Sequence, residues 1–159
     1  MQLLPAIERA AAARFATIGL DQVAAAPLTS DEPRQHGDLT LVATRGDEIA
    51  GFLLARRQDD AVFVRELDVH PDDAGNRLGA RLLDAAGDWA ARHGARWLTL
   101  TTFAEVPWNA PYYARLGFEI FSPGSDAPDL AARLAAEEPV LSGYGRRVAM
   151  RRTAAQPLR

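Results

Sequence analysis

Three stretches of this chain combine residue types and spacings that could do chemistry. The first is Val69-His70-Pro71-Asp72-Asp73-Ala74-Gly75-Asn76-Arg77-Leu78-Gly79. An apolar, β-type run from Val62 to Val69 stops at a proline, a loop with a glycine on each side of Asn76-Arg77-Leu78 follows, and a helical pattern then begins. The first turn of a helix carries unpaired backbone N–H groups and partial positive charge. This loop is therefore either a phosphate cradle or an ordinary strand-to-helix turn with glycines for geometry. The second stretch is Glu66-Leu67-Asp68-Val69, where strand alternation sets Glu66 and Asp68 on one side and Leu67 and Val69 on the other. Such paired carboxylates could take up a proton or attract a cation. The third is Asn109-Ala110-Pro111-Tyr112-Tyr113. A tyrosine hydroxyl, with a pKa of about 10, stays protonated at neutral pH and can donate to an anion formed beside it.

Composition narrows the chemistry. The chain has 159 residues, enough for one domain with a real core, and its 48% apolar and 25% charged content is ordinary for a globular protein. A net charge of −3 argues against a general nucleic-acid binder. All 18 basic residues are arginine, so there is no lysine to acylate or to form a Schiff base. Cysteine is absent, which removes disulfides, thiolate metal sites and a thiol nucleophile together. His36, His70 and His93 show no ligand spacing, and no metal is expected. No secretory signal is read at the start and no apolar run reaches the roughly 18 residues of a membrane span. The expectation is a cytoplasmic protein that engages neither nucleic acid nor membrane; a homodimer is compatible with its size.

These residues need elements to position them. Leu4, Ile7, Ala11, Phe15 and Ile18 repeat at helical spacing, with Gly19 placed to end the helix. A short helix over 21–26 and a Pro- and Asp-bearing loop through Gly37 follow. Strands are predicted over 39–44, 48–58 and 61–69, joined by turns at 45–47 and 59–60, as an antiparallel meander. The best helix is 76–93, with Leu78, Leu82, Ala85 and Trp89 on one face and Arg81, Asp84, Asp88 and Arg92 on the other. Gly94 closes it, and a strand over 97–102 implies a parallel crossover. A short helix over 109–116 has Asn109 as N-cap and Pro111 in its first turn. A strand over 118–121, a helix over 129–138 and a last strand over 146–151 complete an α/β or α+β domain around a mixed sheet. One domain is expected over residues 1–152, with a tail over 153–159.

Glu-Leu-x-Val-His-Pro, the glycine loop with its helix, and Asn-Ala-Pro-Tyr-Tyr-Ala-Arg-Leu-Gly-Phe together resemble the GNAT superfamily of acyl-CoA N-acyltransferases. The resemblance runs from about Leu39 to Phe121. It implies a mixed, mostly antiparallel sheet with helices on both faces, in which strand 61–69 splays from strand 97–102 and admits the pantetheine arm of acetyl-CoA. Two departures stand out. Ala74 and Arg77 occupy positions where the family usually has Gln or Arg and Gly, respectively. The family's opening strand is short or missing, because only Met1-Gln2-Leu3 precede the helical pattern.

The resemblance also implies roles. Backbone N–H groups of Gly75, Asn76, Arg77, Leu78, Gly79 and Ala80 would face the pyrophosphate, with Ala74 at the loop's edge. Leu67 and Val69 would run their main chain along the pantetheine, and Asn109 would bond it or merely cap its helix. An N–H at Asp68 or Val69 is the candidate oxyanion donor. Tyr113 matches the general-acid position, while Tyr112, about 100° around the helix, packs. Glu66 leads as general base, through a water, with His70 the weaker rival and a tie to a neighbouring arginine or loop the structural alternative. Thr101, Thr102, Phe103, Glu105 and Trp108 fill the loop before the tyrosine helix. Phe103 and Trp108 either wall an acceptor pocket, with Glu105 on its rim, or plug the core. The reading is N-acetyl transfer from acetyl-CoA to a small-molecule or peptide amine by direct attack, since no cysteine can carry the acetyl group. The alternative is a catalytically silent acyl-CoA-binding module.

Overall fold

The tight turn at Asp59-Asp60 organises the strands, because its Asp59 takes a left-handed φ of 55° that aspartate tolerates. In this computed structural model, which describes residues 3–33 and 38–154, β2 (Glu48–Gln58) and β3 (Ala61–Val69) flank that turn with the bounds the sequence predicts. The remaining strands are β1 (Asp38–Arg45), β4 (Trp97–Phe103), β5 (Glu119–Phe121) and β6 (Arg147–Thr153). The helices are α1 (Leu3–Ala12), α2 (Asp21–Ala24), α3 (Leu78–Arg92), α4 (Ala110–Arg115) and α5 (Pro128–Leu141). The sheet order is β1-β2-β3-β4-β6-β5, with β1–β2, β4–β6 and β5–β6 antiparallel and β3–β4 parallel. The parallel ladder joins Ala61 to Trp97, Val62 to Leu98 and Phe63 to Thr99. Such a short pairing is what a strand that leaves its neighbour would make.

The chain divides into two compact units, one of residues 1–56 and 64–85 and the other of 57–63 and 86–159. In the first, α1 buries Leu4 and Ile7 against Phe52 and Leu54 of β2. Residues Ala50–Ala55 are buried without a break, so β2 is covered on both faces there. β3 is buried through Val64 and only half-buried from Arg65 onward, where its polar residues begin. Gly51 is a packing requirement: a Cβ on it would lie 2.8 Å from the Asp68 carbonyl oxygen. The same stretch of β2 receives β3's end, since His70 N–H donates to Ala50 O at 2.8 Å.

In the second unit Leu130, Phe63, Ala127 and Ala149 form a core with Phe121 and Leu134 packed on it. Asp59 serves a second purpose here. Its carboxylate accepts the Asp129 and Leu130 N–H groups at 3.1 and 3.2 Å, satisfying the N-terminus of α5 from a distant turn.

Several local expectations are corrected. The predicted helix over 4–18 is α-helical only to Ala12; residues Ala13–Ile18 tighten into a 3₁₀ turn before Gly19 caps them at φ 79°. At three residues per turn the apolar stripe no longer continues, and Ile18 is left exposed. The buried face of α3 is Gly79, Ala80, Leu82, Leu83, Ala86, Gly87 and Ala90, while Ala85 is exposed. Trp89 is half-buried and stacks on His93 with centroids 3.9 Å apart. Small residues let this helix pack closely, so its larger Leu78 and Trp89 flank the buried stripe. β6 runs through Thr153, two residues past its expected end, and Ala154 is buried. Residues 155–159, the 34–37 part of the loop with His36, and Met1-Gln2, where the shortened first strand is expected, lie outside the described residues.

Candidate active site

The end of β3 carries the acidic chemistry. Glu66 and Asp68 share a face, and the carboxylates of Glu66, Asp68 and Glu8 offer oxygens all within 4.8 Å of one another. Burial and, after it, the like charge of Glu8 push the Glu66 carboxyl up to about 7; hydrogen bonds from the Thr29 side chain, Asp68 and the Leu67 N–H pull the other way. Asp68 is raised well above the usual carboxylate range by burial and then by the charges of Glu66 and Glu8. Its Oδ2 is buried without a hydrogen-bond partner. A base poised near 7 is matched to removing a proton at neutral pH.

Glu8 is the residue that sequence reasoning missed. Its two oxygens accept the backbone N–H groups of Thr29 and Ser30 at 2.7 and 2.8 Å, and it is only 6% exposed. A signal was present: Glu8 lies four residues after Leu4 and three before Ala11, on the apolar stripe of α1, where a charge must have a partner.

His70, the weaker rival for the base role, serves as a cap. Its Nδ1 accepts the Asp72 N–H at 3.2 Å and caps the 3₁₀ turn Pro71–Asp73. Arg65 ion-pairs with Glu32, leaving Glu66 to its own cluster. Leu67 and Val69 are half-buried. The Leu67 N–H is engaged by the Glu66 carboxylate.

The loop after β3 is exposed from Ala74 to Arg77. Gly75 takes φ 85° and, without glycine's freedom, Arg77 takes φ 58°. The first helical bond of α3 is Arg81 N–H to Arg77 O at 3.0 Å, so the N–H groups of Leu78, Gly79 and Ala80 precede the ladder. The helix therefore begins two residues later than predicted, and Asn76 and Arg77 belong to the loop. Asp73 is buried and pairs with Arg45 at 3.0 Å, which offsets the nearest buried negative charge.

The tyrosine helix α4 is positioned by its ends. Asn109 stands at the N-cap but makes no side-chain cap bond; instead its Oδ1 accepts the Phe103 N–H at 3.4 Å. At its C-terminus Gly117 turns at φ 89°, and Arg152 donates to Leu116 O at 3.0 Å. Tyr113 is half-buried, edge-on to Phe118 with centroids 5.7 Å apart, and Arg152 lies over the Phe118 ring. Tyr112 packs edge-on against Tyr113, with Arg115 5.9 Å from its ring centroid.

In the loop before α4 the residues divide by burial. Phe103 is buried under the Arg147 guanidinium and plugs the core, and Thr102 is buried. Thr101 bonds Glu137 at 2.9 Å and Arg147 at 3.3 Å. Glu105 is exposed and lies 3.5 Å from Arg146, and Trp108 is half-buried.

The match to the Acetyltransferase (GNAT) family model covers residues 6–118, well over half of the chain. The chain belongs to the GNAT acetyltransferase family. Solved GNAT-type folds agree with the topology. Nourseothricin acetyltransferase is 20% identical, covers 78% of this chain and 69% of its own, and gives a TM-score of 0.60. The ribosomal-protein-S18-alanine N-acetyltransferase of Escherichia coli is 20% identical over 79% of this chain and 74% of its own, with a TM-score of 0.54. The PaiA N-acetyltransferase of Thermoplasma acidophilum, solved with coenzyme A, is 13% identical over 95% of this chain and 90% of its own, with a TM-score of 0.60. Among the described residues no helix is long and apolar enough to cross a membrane.

Proposed function

We propose that this GNAT chain is an N-acetyltransferase that moves an acetyl group from acetyl-CoA to a primary amine, small-molecule or peptide, by direct attack in a ternary complex. The observation that carries this reading is the half-buried Glu66 on β3, clustered within 4.8 Å of the Glu8 and Asp68 carboxylates, with its own carboxyl raised to about 7. Acetyl-CoA, when bound, supplies a thioester whose carbonyl carbon the amine attacks, with loss of a thiolate. Glu66 takes the proton that the ammonium must lose, through a water. An N–H at Asp68 or Val69 donates to the oxyanion, a contact of a kind worth roughly 3–4 kcal/mol. Tyr113 gives its hydroxyl proton to the departing thiolate.

The residues fit the donor. The N–H groups from Gly75 to Ala80 offer an anion cradle, the Arg77 side chain is exposed and can pair with a phosphate, and Leu67, Val69 and Asn109 are assigned to the pantetheine. Nourseothricin acetyltransferase and the ribosomal-protein-S18-alanine N-acetyltransferase carry quite different acceptors in their names, so the acceptor is assigned here only as an amine.

Ala74 and the strained Arg77 favour a second reading, an acyl-CoA-binding module without turnover. An amine panel with acetyl-CoA, read by free thiol, separates the two. Amine-dependent thiol release supports the enzyme; binding of acetyl-CoA with no release on any amine supports the module.

A further inference from the structure

Glu8 is the one member of the carboxyl cluster held by two backbone donors. The clamp at Thr29 and Ser30 reaches across 21 and 22 residues of sequence, so it fixes the Glu8 carboxylate on the cluster rather than merely extending α1. We infer that Glu8 is a positioning residue for the proton-accepting step: its clamped carboxylate holds the Glu66–Asp68 pair in the form that receives the acceptor's proton. This rests on the reading of Glu66 as base.

The groups facing Glu66 are few. From α1 comes Glu8, from the 3₁₀ turn Thr29–Asp31 the Thr29 side chain, and from β3 itself Asp68. The neighbouring β2 stretch, Ala50–Ala55, carries no ionisable side chain. Arg9 of α1 donates to Ala24 O and Ala26 O, and Arg65 pairs with Glu32. The cluster therefore has no cation of its own among these neighbours. One proton shared within it is the simplest way to seat three carboxyls within 4.8 Å.

The step balances simply. An ammonium N–H bond breaks, its proton passes through water to a Glu66 oxygen, and the nitrogen keeps the electron pair that attacks the thioester. The Glu66 proton then returns to solvent. The Glu8 charge beside Glu66 makes that uptake more favourable, and Asp68, whose carboxyl burial raises, is placed to share the proton. An ammonium approaching this cluster would also find charge complementarity, which favours acceptors that arrive as cations.

The test pairs two readouts on the full chain: the pH dependence of kcat/KM with an amine found active in the panel, and the ¹³C-carboxyl NMR titration of Glu66 in the free protein. In Glu8→Gln both the acid limb and the Glu66 midpoint should move to lower pH by about one unit, and Glu8→Asp should restore most of the shift. Gln cannot accept both backbone N–H groups as a carboxylate does, so Glu8→Gln could fail to fold. Thr29→Val keeps the backbone clamp and removes the hydroxyl bond to Glu66, and should move the midpoint to higher pH. A Glu66 midpoint that stays put in every folded variant overturns the inference. A midpoint that moves while the acid limb does not keeps the Glu8 coupling and overturns Glu66 as base, which is the failure of the proposed function.

Discussion

The two compact units differ in one cluster of charged groups. In the second unit charges meet partners. Arg147 bonds Glu137 at 3.3 Å and Thr101 at 3.3 Å while lying over Phe103, and Arg151 bonds Glu119 at 3.1 Å between the rings of Trp97 and Phe121. Arg152 closes the end of α4. The first unit pairs Arg45 with Asp73, Arg56 with Asp38 and Arg65 with Glu32, but it also gathers like charges in one place. Glu8, Glu66 and Asp68 converge, Asp68 Oδ2 is buried without a partner, and Arg77 holds a left-handed backbone. Satisfied networks rigidify, whereas unsatisfied and strained groups cost stability and persist where they do something else. In the proposed function Tyr113 belongs to the second unit, and Glu66 and the glycine loop belong to the first.

This contrast can be broken by substitution, and the largest effects belong to catalysis. Tyr113→Phe should lower kcat by about 10²-fold or more with little change in acetyl-CoA affinity. An unaltered kcat in steady-state assays would remove Tyr113 as the acid. Glu66→Gln should cut the rate by a similar factor and flatten the acid side of the pH profile, and an unchanged profile would remove it as the base.

Stability effects come next, and they should have opposite signs in the two units. Arg147→Ala leaves the mostly buried Glu137 without its cation and should cost roughly 2–3 kcal/mol in urea unfolding; a loss under 0.5 kcal/mol would mean the network is ornamental. Glu66→Gln should stabilise, but only at high pH. Its folded pKa, raised from 4.5 to about 7, means that the folded state binds the extra proton between those values. Stability is therefore favoured below about 4.5 and falls as pH rises through 7. Removing the carboxylate should raise stability at pH 8 by up to roughly 2–3 kcal/mol and leave it little changed at pH 5. Equal stability of the two proteins at pH 8 would show that the cluster is not strained by charge.

A smaller effect concerns the backbone. Arg77→Gly removes a left-handed non-glycine worth about 1–2 kcal/mol but loosens the unfolded chain, so a net gain of about 0.5 kcal/mol is expected. Thermal unfolding that shows a clear loss would mean that the Arg77 side chain holds the loop.

Much of this was legible in sequence because the signals were local. β2 and β3 have the predicted bounds since a two-residue Asp59-Asp60 turn leaves one register, and Glu66 and Asp68 share a face because strand periodicity is two. The α3 helix, though two residues late in starting, and the short helix that carries Tyr113 followed from spacing and from the family resemblance. What escaped was tertiary. The Glu8 clamp needs Thr29 and Ser30, which no helical pattern reveals. The side chain of Asn109 leaves its cap for Phe103, and α3 turns its small residues inward because close packing, not hydrophobicity alone, sets its face. Arg77 occupies a conformation that its residue type disfavours, so no propensity could announce it.

The most direct test of the account is thiol release from acetyl-CoA across an amine panel, followed from pH 5 to 9. Release that depends on the amine and rises with pH about a midpoint near 7 is the predicted result. Acetyl-CoA that binds yet yields no thiol with any amine at any pH would contradict it.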